Sequence, residues 1–229
     1  MIDYINWVVT HKASGIALTE GYRKLCVGGH MDDISASEQE GKNIAEYNDR
    51  LNELTGLYWI WKNTDSEYVG LSHYRRFFQE DGHRLDEQGV EDILAEDEYD
   101  LILAPMRLNW TLAENLRQAV GLDRAVKAMR TMRDVIRKRQ PEYEDAFVDV
   151  LNGNFFYYCN MFVTSREILN EYCEWLFSFI TEAADRIDVT GANYVQRRTA
   201  GYLGEMMMSV WLERHPDLLV YEMPLEVIR

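Results

Sequence analysis

Short runs of β-branched and aromatic residues alternate along the chain with longer segments whose apolar positions recur every three or four residues. YINWVVT (4–10) is of the first kind and predicts a strand that stops at Thr10-His11-Lys12. Residues 13–46 carry Gly15, Gly21, Gly28, Gly29 and Gly41. They predict a long loop region with a short element at 24–27. In NDRLNELTGLYWIWKN (48–63), Leu51, Leu54, Tyr58 and Trp61 recur at helical spacing, and Asn48 or Asp49 can cap the start. One helix is expected there, with Tyr58 and Trp61 packed and Trp59 outward.

YVGLSH (68–73) predicts a buried strand that runs out in His73-Tyr74-Arg75-Arg76. A short helix is expected at 88–94 and a buried strand at YDLILA (99–104), ended by Pro105. Residues 111–139 are helical in pattern, with a basic run from Arg124 to Arg139 stopped by Pro141. NFFYYCNMFVT (154–164) predicts a strand. SREILNEYCEWLFSFITEAADRI (165–187) predicts an amphipathic helix capped by Ser165. Residues 191–215 predict a second long helix and LLVYEM (218–223) a last strand.

Strands that alternate with helices predict an α/β domain around a mostly parallel sheet. No internal repeat, low-complexity stretch or boundary interrupts the 229 residues, so a single domain over 1–229 is expected. Parallel sheets place ligands at the carboxyl ends of their strands. The polar clusters there are Thr10-His11-Lys12 and His73-Tyr74-Arg75-Arg76.

Charge sharpens this picture. With 39 acidic against 24 basic residues the formal net charge is −15. The average field therefore repels nucleic acid and anionic membrane, and any basic cluster becomes informative. Cys26, Cys159 and Cys173 have neither metal-ligand spacing nor the look of a disulfide framework, which favours a reducing compartment. There is no signal-peptide pattern and no run of membrane-spanning length, so a cytoplasmic protein is expected, with peripheral attachment at the inner face of the membrane left open.

Each candidate cluster has two readings. Arg75 and Arg76 carry planar forks of donors that match phosphate oxygens, and His73 adds a further donor, so together they could hold a diphosphate. They could equally pair with the abundant carboxylates. Continued strand geometry would put His73 and Arg75 on one face and Arg76 on the other, so convergence requires a bend after Ser72. Thr10, His11 and Lys12 could bind a nucleotide or simply end the strand. In QRRTAGYLGE (196–205), Arg197, Gly201 and Glu205 share a helical face. Gly201 and Gly204 each cost about 1 kcal/mol in a helix, which close approach of a ligand or another backbone would explain. Partial burial would raise the Glu205 pKa and suit it as a general base. Alternatively, the helix packs tightly on the sheet and Glu205 pairs with Arg197 or Arg198. Asn160 could bond a ligand hydroxyl or satisfy the backbone. The basic run 124–139 reads as a solvated face, or else as an acceptor or membrane surface. Walker, GxGxxG, GxSxG and HExxH motifs are absent. Asp32-Asp33 and Asp97-Glu98 do not follow an obvious strand.

Four stretches together, VVTHK, NELTGLYWIWKN with YVGLSHYRRFF, YCNMFVTSREILNEYCEWLF and QRRTAGYLGEMMMSVWLE, resemble a bacterial family of unknown function. Its members are associated with capsular or exopolysaccharide biosynthesis and grouped with GT-A glycosyltransferases. The resemblance implies a three-layer Rossmann-like GT-A fold. It also implies transfer of a sugar from a nucleotide-diphosphate donor to a glycan or lipid-linked glycan acceptor. It places the nucleotide at Thr10, His11 and Lys12 and the donor diphosphate at His73, Arg75 and Arg76. Sugar or acceptor would meet Asn160, Gln196 and Arg197, with Glu205 as base. Where that fold usually carries an acidic metal-binding pair, this chain has HYRR. Cationic side chains are then expected to replace the metal, so no cofactor is required, although Mn or Mg stays compatible with such a fold. A serine precedes His73 where the family often has a cysteine. The alternative is a non-catalytic component of the same assembly that binds a sugar nucleotide or glycan.

Overall fold

The computed structural model describes residues 2–12, 18, 20–30, 36–96 and 99–228. Its strands are β1 (Tyr4–Thr10), β2 (Tyr22–Cys26), β3 (Ala36–Ser37), β4 (Tyr68–His73), β5 (Arg76–Glu80), β6 (His83–Arg84), β7 (Leu101–Arg107), β8 (Phe155–Ser165), β9 (Val220–Glu222) and β10 (Leu225–Val227). The central path runs β3-β2-β1-β4-β8-β7-β9. β8 pairs antiparallel with β4 and β7, and every other pairing along that path is parallel. The expected α/β fold with a mostly parallel sheet is therefore present.

Strand alternation builds three layers. Leu101 and Leu103 face a large helical layer, which draws in Leu54, Leu57, Leu169, Met207 and Trp211. Ile102 and Ala104 face a smaller layer with Phe78, Val90 and Met161. On β1, Trp7 and Val9 join the first layer, while Val8 meets Tyr22 and Phe77 on the other side.

Several expected elements are cut or extended. The region 13–46 is more than loop, because β2 and β3 extend the sheet in parallel. The helix expected over 48–63 is two, Asn48–Leu51 and Leu54–Asn63, broken where Asn52 adopts φ 56°. Trp59 points inward: it is buried edge-on against Trp7, and its indole N–H donates to the Glu40 carbonyl at 2.8 Å. Pro105 does not end β7. It sits where the β7–β8 register jumps, a place that tolerates its missing N–H.

The helix over 165–187 begins with Ser165 accepting from the Ile168 N–H, as expected. It breaks after Phe177, where the Ser178 hydroxyl donates to the Trp175 carbonyl at 2.6 Å in place of a regular turn. The helix over 191–215 is three short ones, Tyr194–Arg197, Thr199–Gly204 and Met207–Leu212. Tightened turns separate them, with Arg198 N–H donating to Val195 and Met206 N–H to Leu203.

Candidate functional site

β1 and β4 are parallel neighbours with Val9 opposite His73, so their carboxyl ends lie side by side. The Tyr74 N–H donates to the Val9 carbonyl at 3.2 Å, which carries the ladder one step further. The chain then turns over Tyr74-Arg75, and Arg76 returns antiparallel to His73. The required bend is present, one residue later than the sequence suggested. His73, Tyr74, Arg75 and Arg76 all line one cavity of about 670 Å³.

The opposite wall comes from a distortion of β8. Its pairing with β4 ends at Leu71 and Phe162. On the other side Leu103 faces Phe162, yet Pro105 faces Tyr157. Within the skipped stretch, Cys159 and Asn160 both take left-handed backbone conformations, φ 67° and 50°. Neither is glycine, and such conformations cost on the order of 1–3 kcal/mol each. They give three polar attachments in return. The Cys159 carbonyl accepts from His73 Nε2 at 2.7 Å. The Cys159 N–H donates to the Glu205 carboxylate. The Asn160 amide donates to Glu53 Oε1 at 2.6 Å.

Glu53 and Glu205 thus stand together on the cavity wall, on segments far apart in sequence. Glu53 follows the Asn52 break and is buried. Burial first, and then the nearby Glu53, push the Glu205 carboxyl up to about 8, against the Cys159 N–H, Arg76 and Arg198, which lower it. Burial also lowers the His73 pKa, with Arg76 adding to that and Glu53 opposing it. His73 is therefore a neutral imidazole at neutral pH, with Nε2–H committed to a carbonyl. Positive charge on this wall falls to Arg75, Arg76 and Arg198. Among the described residues, no salt bridge engages any of the three.

Of the other residues singled out in the sequence, His11 lines the cavity, edge-on to Tyr74 at 5.3 Å. Burial and the Arg198 charge lower its pKa. Thr10 does not line the cavity, because its buried hydroxyl donates to the Lys12 carbonyl at 2.5 Å. Lys12 is exposed, with Nζ 5.3 Å from the Tyr74 ring centre. Asn160 sits behind the wall and anchors Glu53.

Gln196 and Arg197 fall outside the cavity. Gln196 completes a capping box with Asn193 and reaches the Val120 carbonyl at 3.3 Å. Arg197 pairs with Asp49. The helix break turns their face away, and it is Arg198, one residue on, that lines the cavity and bonds Asn52 Oδ1. The close approach expected at Gly201 and Gly204 comes from protein: a Cβ at 201 would lie 2.4 Å from Asn52 Nδ2, and one at 204 would lie 2.5 Å from a Leu54 methyl.

Sequence reasoning missed Asn52, Glu53, Arg198 and Tyr202, all of which line the cavity. The available signal was the polar Asn52-Glu53 pair between Leu51 and Leu54, which a continuous helix disguises as surface.

No acidic pair follows β4; Tyr74, Arg75 and Arg76 do. The wall at the end of β4 offers guanidinium groups. Among the described residues, no group of three or more His, Cys, Asp or Glu side chains is placed to hold an ion. Asp32-Asp33 and Asp97-Glu98 lie outside the described residues.

A family model described as a domain of unknown function, DUF4422, matches residues 6–216. The solved apo structure of the WbbM bifunctional glycosyltransferase is similar at a TM-score of 0.78 and 25% identity. That similarity covers 99% of this chain and 45% of that one, so the chain spans less than half of that protein's length. No protein of curated function matches. This chain accordingly shares a glycosyltransferase-like fold.

Proposed function

The chain belongs to the DUF4422 family, and from its likeness to a solved glycosyltransferase and the make-up of its cavity we propose a nucleotide-sugar-dependent glycosyltransferase acting as one domain over 1–229. The observation that carries the proposal is the cavity at the ends of β1 and β4. It joins cations that make no salt bridge among the described residues to a raised-pKa carboxyl. Arg75 and Arg76, helped by Arg198, hold the donor diphosphate and offset the charge that builds on the departing nucleoside diphosphate. His11 and the end of β1 receive the nucleoside. Neutral His73 fixes the Cys159 carbonyl and so the left-handed turn that presents both carboxylates.

Glu205 is the base. Ionised, it takes the proton of the acceptor hydroxyl as that oxygen attacks the anomeric carbon and the bond to the diphosphate breaks. A pKa near the working pH suits this task. Burial does most to set that pKa and the Glu53 charge adds to it, while the Asn160 amide holds Glu53 in place. The acceptor we favour is a cell-surface glycan or lipid-linked glycan of capsule or exopolysaccharide type, assembled on the cytoplasmic side of the membrane.

The test is a panel of nucleotide sugars offered to the whole chain, scored by thermal shift and by release of nucleoside diphosphate, in EDTA and in Mn. At least one donor should stabilise the protein and turn over in EDTA. Stabilisation by no donor, or loss of all binding in EDTA, contradicts the proposal.

A further inference from the structure

Among the large hydrophobic side chains that stand exposed, Leu122 and Val126 lie on the helix Leu122–Arg139, and Tyr194 and Val195 on the helix Tyr194–Arg197, which packs on the preceding helix Leu112–Val120. Leu122 and Tyr194 are 62% and 67% exposed, well beyond a partly covered core edge. Gln196 reaches across to the Val120 carbonyl, and Arg124 donates to the Thr190 carbonyl at 3.2 Å, so the segments are tied together.

Beside them lies a groove of about 760 Å³, lined by Leu122, Arg124, Lys127, Arg130, Arg186 and Gln196, with Asp123 and Asp188 as its acidic members; Val126 and Val195 stand next in sequence to its lining residues Lys127 and Gln196. Arg124 is spent on backbone carbonyls and Arg186 lies 3.6 Å from Glu182. Among the described residues, Lys127 and Arg130 have no ion pair or hydrogen bond. Lys127 contributes only a modest lowering of the Asp188 carboxyl. Tyr194 lines the catalytic cavity as well, so this surface is continuous with the cavity rim.

We propose that this groove docks the protein on an anionic bilayer, with Leu122, Val126 and Val195 seated among the headgroups and Lys127 and Arg130 against lipid phosphates. Exposed apolar side chains beside unpaired cations match an interfacial segment. In a chain of net charge −15, Lys127 and Arg130 make no salt bridge among the described residues, although Asp123 and Asp188 share the groove, so both stay open to an anion from outside. A second copy of the chain would bring mainly like charge. Nucleic acid would leave the apolar half of the surface uncovered. No described helix is long and apolar enough to cross a membrane, so attachment through this face is peripheral. The inference is independent of the chemistry assigned to the cavity.

Co-sedimentation of the whole chain with phosphatidylcholine vesicles, with and without phosphatidylglycerol, tests it. Binding should require phosphatidylglycerol and weaken with salt. The double variant Lys127→Glu, Arg130→Glu should bind on the order of tenfold or more weakly. Leu122→Asp should weaken binding at every salt concentration. Both variants should keep wild-type circular dichroism and nucleoside diphosphate affinity, which separates lost docking from lost folding or a lost active site. Three results would overturn the proposal: no preference for anionic vesicles, variants that bind like wild type, or self-association in solution that Leu122→Asp abolishes.

Discussion

Two arginine-rich regions of this molecule are built on opposite terms. On the helix over Leu122–Arg139, Arg133 and Arg137 share Glu144, and Lys138 and Arg139 share Glu182, at 2.7–3.1 Å. Hydrogen bonds from Arg137 and then Arg133 hold the Glu144 carboxyl down at about 2. At the turn after β4, Arg75 and Arg76 line a cavity with Glu53 and Glu205, yet among the described residues no salt bridge engages them. A chain this acidic could have paired them easily. The paired set belongs to the fold, and on the proposed function the unpaired set is held for a ligand, so counter-ion bookkeeping would separate the two where residue type does not.

The sharpest way to break that contrast lies at the cavity's carboxyl pair. Glu205→Gln should lower turnover by about 10²–10⁴-fold and leave nucleoside diphosphate affinity within a few-fold, as removal of a general base does. Steady-state turnover and calorimetric binding on the same preparation check this, and intact turnover would remove Glu205 from the mechanism.

A smaller effect is expected behind the wall. Asn160→Ala takes the donor from a buried carboxylate and should cost about 1–3 kcal/mol in urea unfolding. An unchanged midpoint would mean the left-handed turn stands without that bond.

The pH dependence follows in sign. Folding raises the Glu205 pKa to about 8, so between the ordinary carboxylate range and pH 8 the native chain holds a proton that the unfolded chain has lost. Stability is full at acid pH, falls as pH climbs toward 8, then levels. Melting curves of wild type should show that decline, and Glu205→Gln should flatten it. Glu53→Gln removes the neighbouring charge, so the acid limb of kcat/KM should move to lower pH.

The smallest effect belongs to the paired region. Arg133→Ala with Arg137→Ala should leave turnover and nucleoside diphosphate affinity at wild-type values, since exposed ion pairs contribute little.

Much of the sheet was legible from local pattern. β1, β4 and β8 lie within a residue of their apolar runs, because a buried strand is recorded in consecutive side chains. Breaks were not legible, because Asn52, Arg198 and the Cys159-Asn160 turn are set by contacts between distant segments. The HYRR cluster could be read because four consecutive residues carry it. The Glu53–Glu205 pair could not, since burial and a 2.6 Å bond from Asn160 assemble it only in the folded chain. Helix periodicity favours Arg197 over Arg198 for the same reason: the helix that carries this periodicity stops at Arg197.

The claim at the centre is that guanidinium groups at 75 and 76 hold the diphosphate where related folds use a metal. Calorimetric titration of nucleoside diphosphates in EDTA, on wild type and on Arg75→Ala, Arg76→Ala, tests it most directly. Wild type should bind without metal, and the double variant should bind about 10²-fold more weakly, as loss of charge-assisted hydrogen bonds implies. Equal affinity in the two proteins, or wild-type binding that appears only when Mn is added, would contradict it.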